Sequence, residues 1–429
     1  MLRLAPEKAS IYHLPSDALG KIFEYLEAKD ACTLAQTSKK YRFEYFKAHE
    51  RLFDHYYHSK TLKDFLITVP NFELRYTQRA ILLAQRHLYS SPSALEVRGI
   101  ETIARHEQAR NLISLFKAIT PYMPEEVILP ELIADDLEYA DTIRHWMEMH
   151  AALLSLITEH FDISNRSLTA IPSEISYLKN IRTLDASDNA LMGIPLDLCD
   201  CSQLRYLLLN NNIIESLPSA IGRLLHLRQI NLSRNKLRYL PTSLGFLPEL
   251  THLDLSSNHL TVLPQSFTHL RNLATLNLEL NYLAALPEDF DRLSHCSSLS
   301  IRSNKLERLP EKFGYLPNLI HLELSHNRIV EIPRSIGHMT SLRKLDLSEN
   351  KLFTLPKELA SIDTLKNLNL SMNQIQFLPE EVWLMAVRVN HFRIFGNPFV
   401  FGIPPEIKEL LDSRPFTATD ISTVAKSLF

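Results

Sequence analysis

Few residues in this chain are equipped for chemistry. Cys199 and Cys201 flank Asp200, a spacing at which two thiolates could share a soft metal ion or one could act as a nucleophile. His252 and His321 could offer imidazole nitrogens to a metal or move a proton near neutral pH. Asn165, Asn231 and Asn369 each open an Asn-x-Ser sequon, which accepts a glycan in a secreted chain. The pattern in which these residues sit argues against each of these roles.

That pattern is a repeat. A proline returns every 23 residues at Pro172, Pro195, Pro218, Pro241, Pro264, Pro287, Pro310, Pro333, Pro356 and Pro379. Asparagine keeps the same step from Asn189 through Asn212, Asn235, Asn258, Asn281, Asn304, Asn327 and Asn350 to Asn373. Two residue types held in register over that length predict a solenoid whose units bury their apolar faces only against neighbours. Cys296 then falls in the column held by Leu250, Leu273 and Leu319, and Cys201 in that of Leu178, Leu224 and Leu247. Both read as small buried hydrophobes. His252 and His321 share a column three repeats apart, about 14 Å, which is too far to share a metal. The template itself generates Asn-Leu-Ser in its strands, and the start, MLRLAPEKAS, shows no secretion signal. No metal, cofactor or catalytic group is expected.

One unit runs from Leu250 to Asn272, LTHLDLSSNHLTVLPQSFTHLRN. Its Leu-x-Leu alternation suits a short strand with one face buried, and stacking sets such strands parallel. The recurring Asn can bond backbone groups left unpaired between turns. The recurring Pro fixes φ and lacks a donor, which favours an extended or 3₁₀ return over a long helix. The ends depart from the template: Arg166 stands in the asparagine column, and Asn397 comes 24 residues after Asn373, with one residue inserted near Ala386 to Arg388. Ile403 to Leu411 reads as a short helical cap. Residues 156–411 resemble the 23-residue LPxxIGxL class of leucine-rich repeats. The resemblance implies an α/β solenoid of ten to eleven repeats with a parallel concave sheet, roughly 50 Å long and able to hold a protein partner. On that face Asp254, Ser256, Asp346 and Ser348 follow the template, whereas Tyr206, Leu208, Glu279, Arg302, Arg393 and Phe395 depart from it. Aromatic and arginine side chains commonly anchor interfaces, so these six are the candidate partner-binding residues.

Ahead of the repeats the period becomes helical, with Leu19, Ile22, Phe23 and Leu26 following Pro15, and Leu34, Ala35 and Ser38 following Asp30. The string LPSDALGKIFEYLEAKDACTLAQTSKKYR resembles an F-box, with Asp17, Ala31, Thr37 and Tyr41 as mild departures. A three-helix module of this size can scarcely bury a core alone, in keeping with one that completes its packing on another protein. The resemblance implies contact with a Skp-family adaptor, and through it a cullin ubiquitin ligase, by Leu14, Pro15, Leu19, Ile22, Phe23 and Leu34. Between Leu62 and His150 further helices are expected: Ile100, Ile103, Leu112, Leu115, Phe116 and Ile119 keep helical spacing, Pro121, Pro124 and Pro130 interrupt it, and Leu137, Ala140, Ile143 and Trp146 resume it. The domain plan is an F-box at 10–50, a helical spacer and cap at 51–150, the solenoid with its C-terminal cap at 151–411, and a tail at 412–429.

A formal charge of -3 gives no overall electrostatic reason to seek nucleic acid, and no run of about 18 apolar residues marks a membrane span. The expected function is a non-enzymatic substrate adaptor in the ubiquitin-conjugation pathway, acting in the cytoplasm. Regular 23-residue units behind an F-box also resemble effectors that bacteria deliver into host cells. Two alternatives stand beside it. One is a repeat scaffold without ligase binding; the other is a self-catalytic cysteine ligase, which the tail after the cap, devoid of Cys, disfavours.

Overall fold

The computed structural model describes residues 94–400 and residue 405. Among these, residues 94–113 and 131–142 fall in one compact unit, and 114–130 with 143–400 in a second. The first unit contains the start of helix α1 (Ala94–Ile119) and the first turns of helix α2 (Asp136–Met149). Helix α2 begins where Asp135 Oδ1 accepts bonds from the amides of Leu137 at 2.9 Å and Glu138 at 3.0 Å, satisfying two of the donors a helix start leaves unpaired.

In the second unit the 23-residue step becomes a ladder of strands: β1 (His160–Asp162), β2 (Thr183–Asp185), β3 (Tyr206–Leu208), β4 (Gln229–Asn231), β5 (His252–Asp254), β6 (Thr275–Asn277), β7 (Ser298–Ser300), β8 (His321–Glu323), β9 (Lys344–Asp346), β10 (Asn367–Asn369) and β11 (His391–Arg393). They form one sheet in chain order, and every pairing is parallel. Register follows the repeat: His252 pairs with Thr275 and Leu253 with Leu276. The central residue of each strand is buried while its neighbours face outward, because side chains alternate along an extended chain.

The asparagine column holds successive turns together. Asn258 Nδ2 donates to the carbonyls of Leu232 at 2.9 Å, Leu255 at 3.0 Å and Ser256 at 3.2 Å, and its Oδ1 accepts from the Leu237 amide at 2.9 Å. These are the unpaired backbone groups that the sequence reading assigns to it. The ladder starts at Asn189, whose Oδ1 receives the amides of both Arg166 and Leu168 at 3.0 Å. It ends at Asn397, which accepts from Ile375 at 3.1 Å.

Behind the sheet each return is a 3₁₀ turn. In most repeats the proline caps it in extended geometry, and its carbonyl takes the amide three residues on, as Pro264 does for Phe267 at 2.9 Å. Close stacking makes glycine obligatory in several turns: a Cβ on Gly314 would lie 1.8 Å from the Ser335 carbonyl oxygen. Phe267, Phe290 and Phe313 fill the middle of the core, the latter two stacked with centroids 5.9 Å apart. Pro379 is the exception to the expected 3₁₀ return. It precedes a nine-residue α-helix, α4 (Glu380–Arg388; the short α3 is Ala151–Leu154), with two acidic residues in its first turn and Val382, Trp383, Met385 and Ala386 buried. This helix absorbs the inserted residue, so Asn367 pairs with His391 across a 24-residue step.

Both ends of the stack are closed by aromatic residues. Trp146 meets Phe116 edge-on at 5.4 Å, stacks on His150 at 4.2 Å and donates to the Ile128 carbonyl at 2.9 Å, while Tyr122 approaches Phe161 of β1 at 6.2 Å. At the other end Trp383 lies 6.3 Å from Phe392 and 5.8 Å from Phe399. Arg388 secures α4 through Asp363 at 2.6 Å and the Ala360 carbonyl. The expected cap at Ile403 to Leu411 and the tail beyond lie outside the described residues, apart from residue 405.

Candidate protein-binding face

The open face of the sheet is built from the residues flanking each buried leucine. Its template positions are occupied with internal work. Asp254 Oδ1 accepts the Ser256 amide at 2.9 Å and hydroxyl at 2.6 Å, and Asp346 does the same for Ser348 at 2.9 and 2.6 Å. At the first strand, hydrogen bonds from the backbone and side chain of Ser164 hold the Asp162 carboxyl below the ordinary aspartate range. Where the column holds Ser300, the short side chain leaves its buried hydroxyl without a hydrogen-bond partner among the described residues.

Against this background the six candidate partner-binding residues fall in three places. Tyr206, exposed at 38%, and half-buried Leu208 share β3 between the Thr183/Asp185 and Gln229/Asn231 rows. Glu279 and Arg302 follow β6 and β7 and face each other, with Arg302 Nε 3.8 Å from Glu279 Oε1. Arg393 lies on β11, and Phe395 beside it is 39% exposed. With strands about 4.8 Å apart, the first group is roughly 14 Å from the second and the third nearly 40 Å from the first. The six residues therefore mark an extended face and do not converge on one pocket. The residues expected to contact an adaptor, Leu14, Pro15, Leu19, Ile22, Phe23 and Leu34, lie outside the described residues.

The face carries further charge pairs that the sequence reading passes over. Lys344 reaches Glu323 at 2.6 Å, and His326 reaches Glu349 at 2.8 Å. On the neighbouring edge Glu249 takes both His226 at 2.9 Å and Arg228 at 3.1 Å, and these two bonds lower its carboxyl pKa. Partners are 21 or 23 residues apart, so the repeat period is the signal that finds them. Exposed pairs of this kind contribute little stability; they pattern the surface instead.

The chemistry-bearing residues take structural places. Cys201 and Cys296 are buried, and burial pushes each thiol up to about 12; Cys199 is raised to about 11 for the same reason. These thiols stay protonated at neutral pH and are poor nucleophiles. The Cys201 thiol points at the Ile175 carbonyl, 3.7 Å away. His252 Nδ1 pairs with the Thr251 hydroxyl at 2.9 Å, and His321 lies three strands away on β8. Among the described residues no three His, Cys, Asp or Glu side chains gather to hold a metal ion, and no helix is long and apolar enough to cross a membrane.

Comparison with known proteins adds the domain identities. Residues 202–260, 248–306 and 294–352 match the leucine rich repeat family model, and residues 11–43 match the F-box domain model. No curated protein matches the chain. Among solved structures, the chain is similar to the plant peptide hormone receptor RGFR1 in complex with RGF2, at 32% identity over 53% of this chain and 38% of the receptor, with a TM-score of 0.49. It is also similar to a leucine-rich-repeat protein of Leptospira interrogans, at 27% identity over 58% of this chain and 81% of that one, with a TM-score of 0.32. A third similar structure is a TDR receptor, at 26% identity over 59% and 50%, with a TM-score of 0.48. The chain spans under half the length of the plant peptide hormone receptor. It carries an F-box at residues 11–43 followed by a solenoid of leucine-rich repeats, an open parallel sheet of 11 strands.

Proposed function

We propose that this protein is a substrate-recognition adaptor of a cullin-type ubiquitin ligase. The observation that supports the reading is the union, in one chain, of an F-box at residues 11–43 with an open repeat sheet whose outward residues differ from repeat to repeat. In this reading Leu14, Pro15, Leu19, Ile22, Phe23 and Leu34 dock on a Skp-family adaptor, and the face bearing Tyr206, Leu208, Glu279, Arg302, Arg393 and Phe395 holds a target protein. Tethering a target beside a charged conjugating enzyme replaces a bimolecular encounter with an intramolecular one, so the chain itself needs no catalytic group. The site of action is a cytosol that contains cullin ligases, a host cytosol if the chain is a delivered bacterial effector.

The test is co-purification of the full chain with a Skp-family adaptor. The wild type retains the adaptor, and Leu14→Ala with Pro15→Ala releases it without changing the thermal unfolding of the solenoid. A wild-type chain that retains no adaptor overturns the proposal and leaves a repeat scaffold.

A further inference from the structure

We propose a second docking site, separate from the open face, on the edge of the solenoid just past the asparagine ladder; its occupant is an acidic amphipathic helix of a partner protein. The position after each ladder asparagine is Lys236, His259, Tyr282, Lys305, Arg328 and Lys351 in six consecutive repeats, and all but half-buried Lys236 are exposed. Lys305 Nζ sits 4.6 Å above the Tyr282 ring, a cation–π contact that holds the ammonium within the row. Arg328 and Lys351 form no ion pair among the described residues.

Two residues further on, the column runs Glu307, Val330, Phe353, Gln376 and Val400 and exposes three apolar side chains. Val330 is 38% exposed, Phe353 49% and Val400 63%. Backbone bonds place this column on adjoining turns: the Val330 amide donates to the Glu307 carbonyl at 3.2 Å, Gln376 to Phe353 at 3.2 Å and Val400 to Gln376 at 3.0 Å. Arg328 with Val330 and Lys351 with Phe353 thus set a cation beside an apolar side chain on successive repeats.

Repeat spacing selects the occupant. The rows recur about every 4.8 Å, and an α-helix advances about 5.4 Å per turn, so a helix lying along the edge meets each repeat with one turn. An apolar stripe would cover Val330, Phe353 and Val400 while carboxylates on its flank meet Lys305, Arg328 and Lys351. Charge complementarity fixes the sign of the partner. Glu307 in the apolar column and Glu331 next to it confine the partner's carboxylates to the side of the row bearing Lys305, Arg328 and Lys351, while Glu349 is already engaged by His326 at 2.8 Å.

The probe is a fluorescein-labelled synthetic peptide of about 18 residues, about 27 Å long as a helix, with leucine on one stripe and glutamate beside it. Anisotropy is read with the full chain. Binding should saturate, weaken with added salt, fall roughly tenfold in Arg328→Glu with Lys351→Glu, fall comparably in Phe353→Ser, and stay unchanged in Tyr206→Ala and in Leu14→Ala with Pro15→Ala. Thermal unfolding of each variant verifies its fold. The proposal is overturned if the peptide fails to bind, if a scrambled peptide of the same composition binds equally well, if the edge variants bind like the wild type, or if duplex DNA binds in the peptide's place.

Discussion

Replacing Asn258 by alanine tests whether the asparagine ladder holds the solenoid together. Asn258 is 2% exposed. Its amide spans two turns, donating to the Leu232 carbonyl at 2.9 Å and accepting the Leu237 amide at 2.9 Å, in addition to its bonds within its own turn. Alanine leaves the Leu237 amide buried and unpaired, while the Leu232 carbonyl keeps its bond from Asn235 Nδ2 at 3.1 Å. For one buried, unpaired amide the loss should be about 1–3 kcal/mol, read as a lower urea midpoint at constant slope. Asn272→Ala is the control: it also deletes an inter-turn bond, to the Pro248 carbonyl at 2.7 Å, but at an exposed position, where the loss should be about 0.5 kcal/mol or less. Asn258→Asp adds a sign. Its carboxylate would face the carbonyl oxygens of Leu232, Leu255 and Ser256, so its folded pKa must rise above the unfolded value of about 3.9. The charge penalty is then full above the folded pKa and is relieved as pH falls from there toward the unfolded value. The reasoning fails if Asn258→Ala costs no more than Asn272→Ala, or if the aspartate variant gains stability relative to wild type as pH rises.

Two further outcomes follow from the same geometry. Gly314→Ala drives a methyl group into the Ser335 carbonyl, whereas Gly193→Ala meets nothing within 4 Å; thermal unfolding should show a loss of about 1–3 kcal/mol for the first and no loss for the second. In an NMR titration the Glu249 carboxyl should protonate below the ordinary glutamate value because His226 and Arg228 bond it, and His226→Ala should move the midpoint up. For such a lowered acid, any stabilisation is present above the unfolded pKa and is lost as pH falls through the folded one; a midpoint unmoved by His226→Ala refutes the assignment.

Much of the solenoid was legible because its period is a physical constraint. Leu253, Asn258 and Pro264 could be assigned to strand, ladder and return from spacing alone, since each must meet its equivalent one turn away. Helix α4 was half legible. The extra residue before Asn397 showed that one turn is longer, while Pro379 followed by Glu380 and Glu381 is a helix start that the repeat template masked. The left-handed residue ahead of each ladder asparagine left only a faint trace: Asn211 (φ 56°) and Gly396 (φ 69°) suit it, but Arg234 (φ 54°), Leu280 (φ 55°), His326 (φ 54°) and Met372 (φ 57°) hold it in other turns without any such mark. The partnership of Glu279 with Arg302 needed only subtraction of 23 from 302, yet side chains read singly look like separate anchors. The six candidate adaptor-contact residues of the F-box were read from the motif alone and lie outside the described residues.

The ladder also makes the length of the molecule adjustable. Because Leu237 is served by Asn258 and Leu260 by Asn281 in identical fashion, excising residues 259–281 would present the Asn258 amide with a successor of the same kind. Reach along the array can thus lengthen or shorten by whole modules while both terminal closures, at Trp146 and Trp383, keep their original fit.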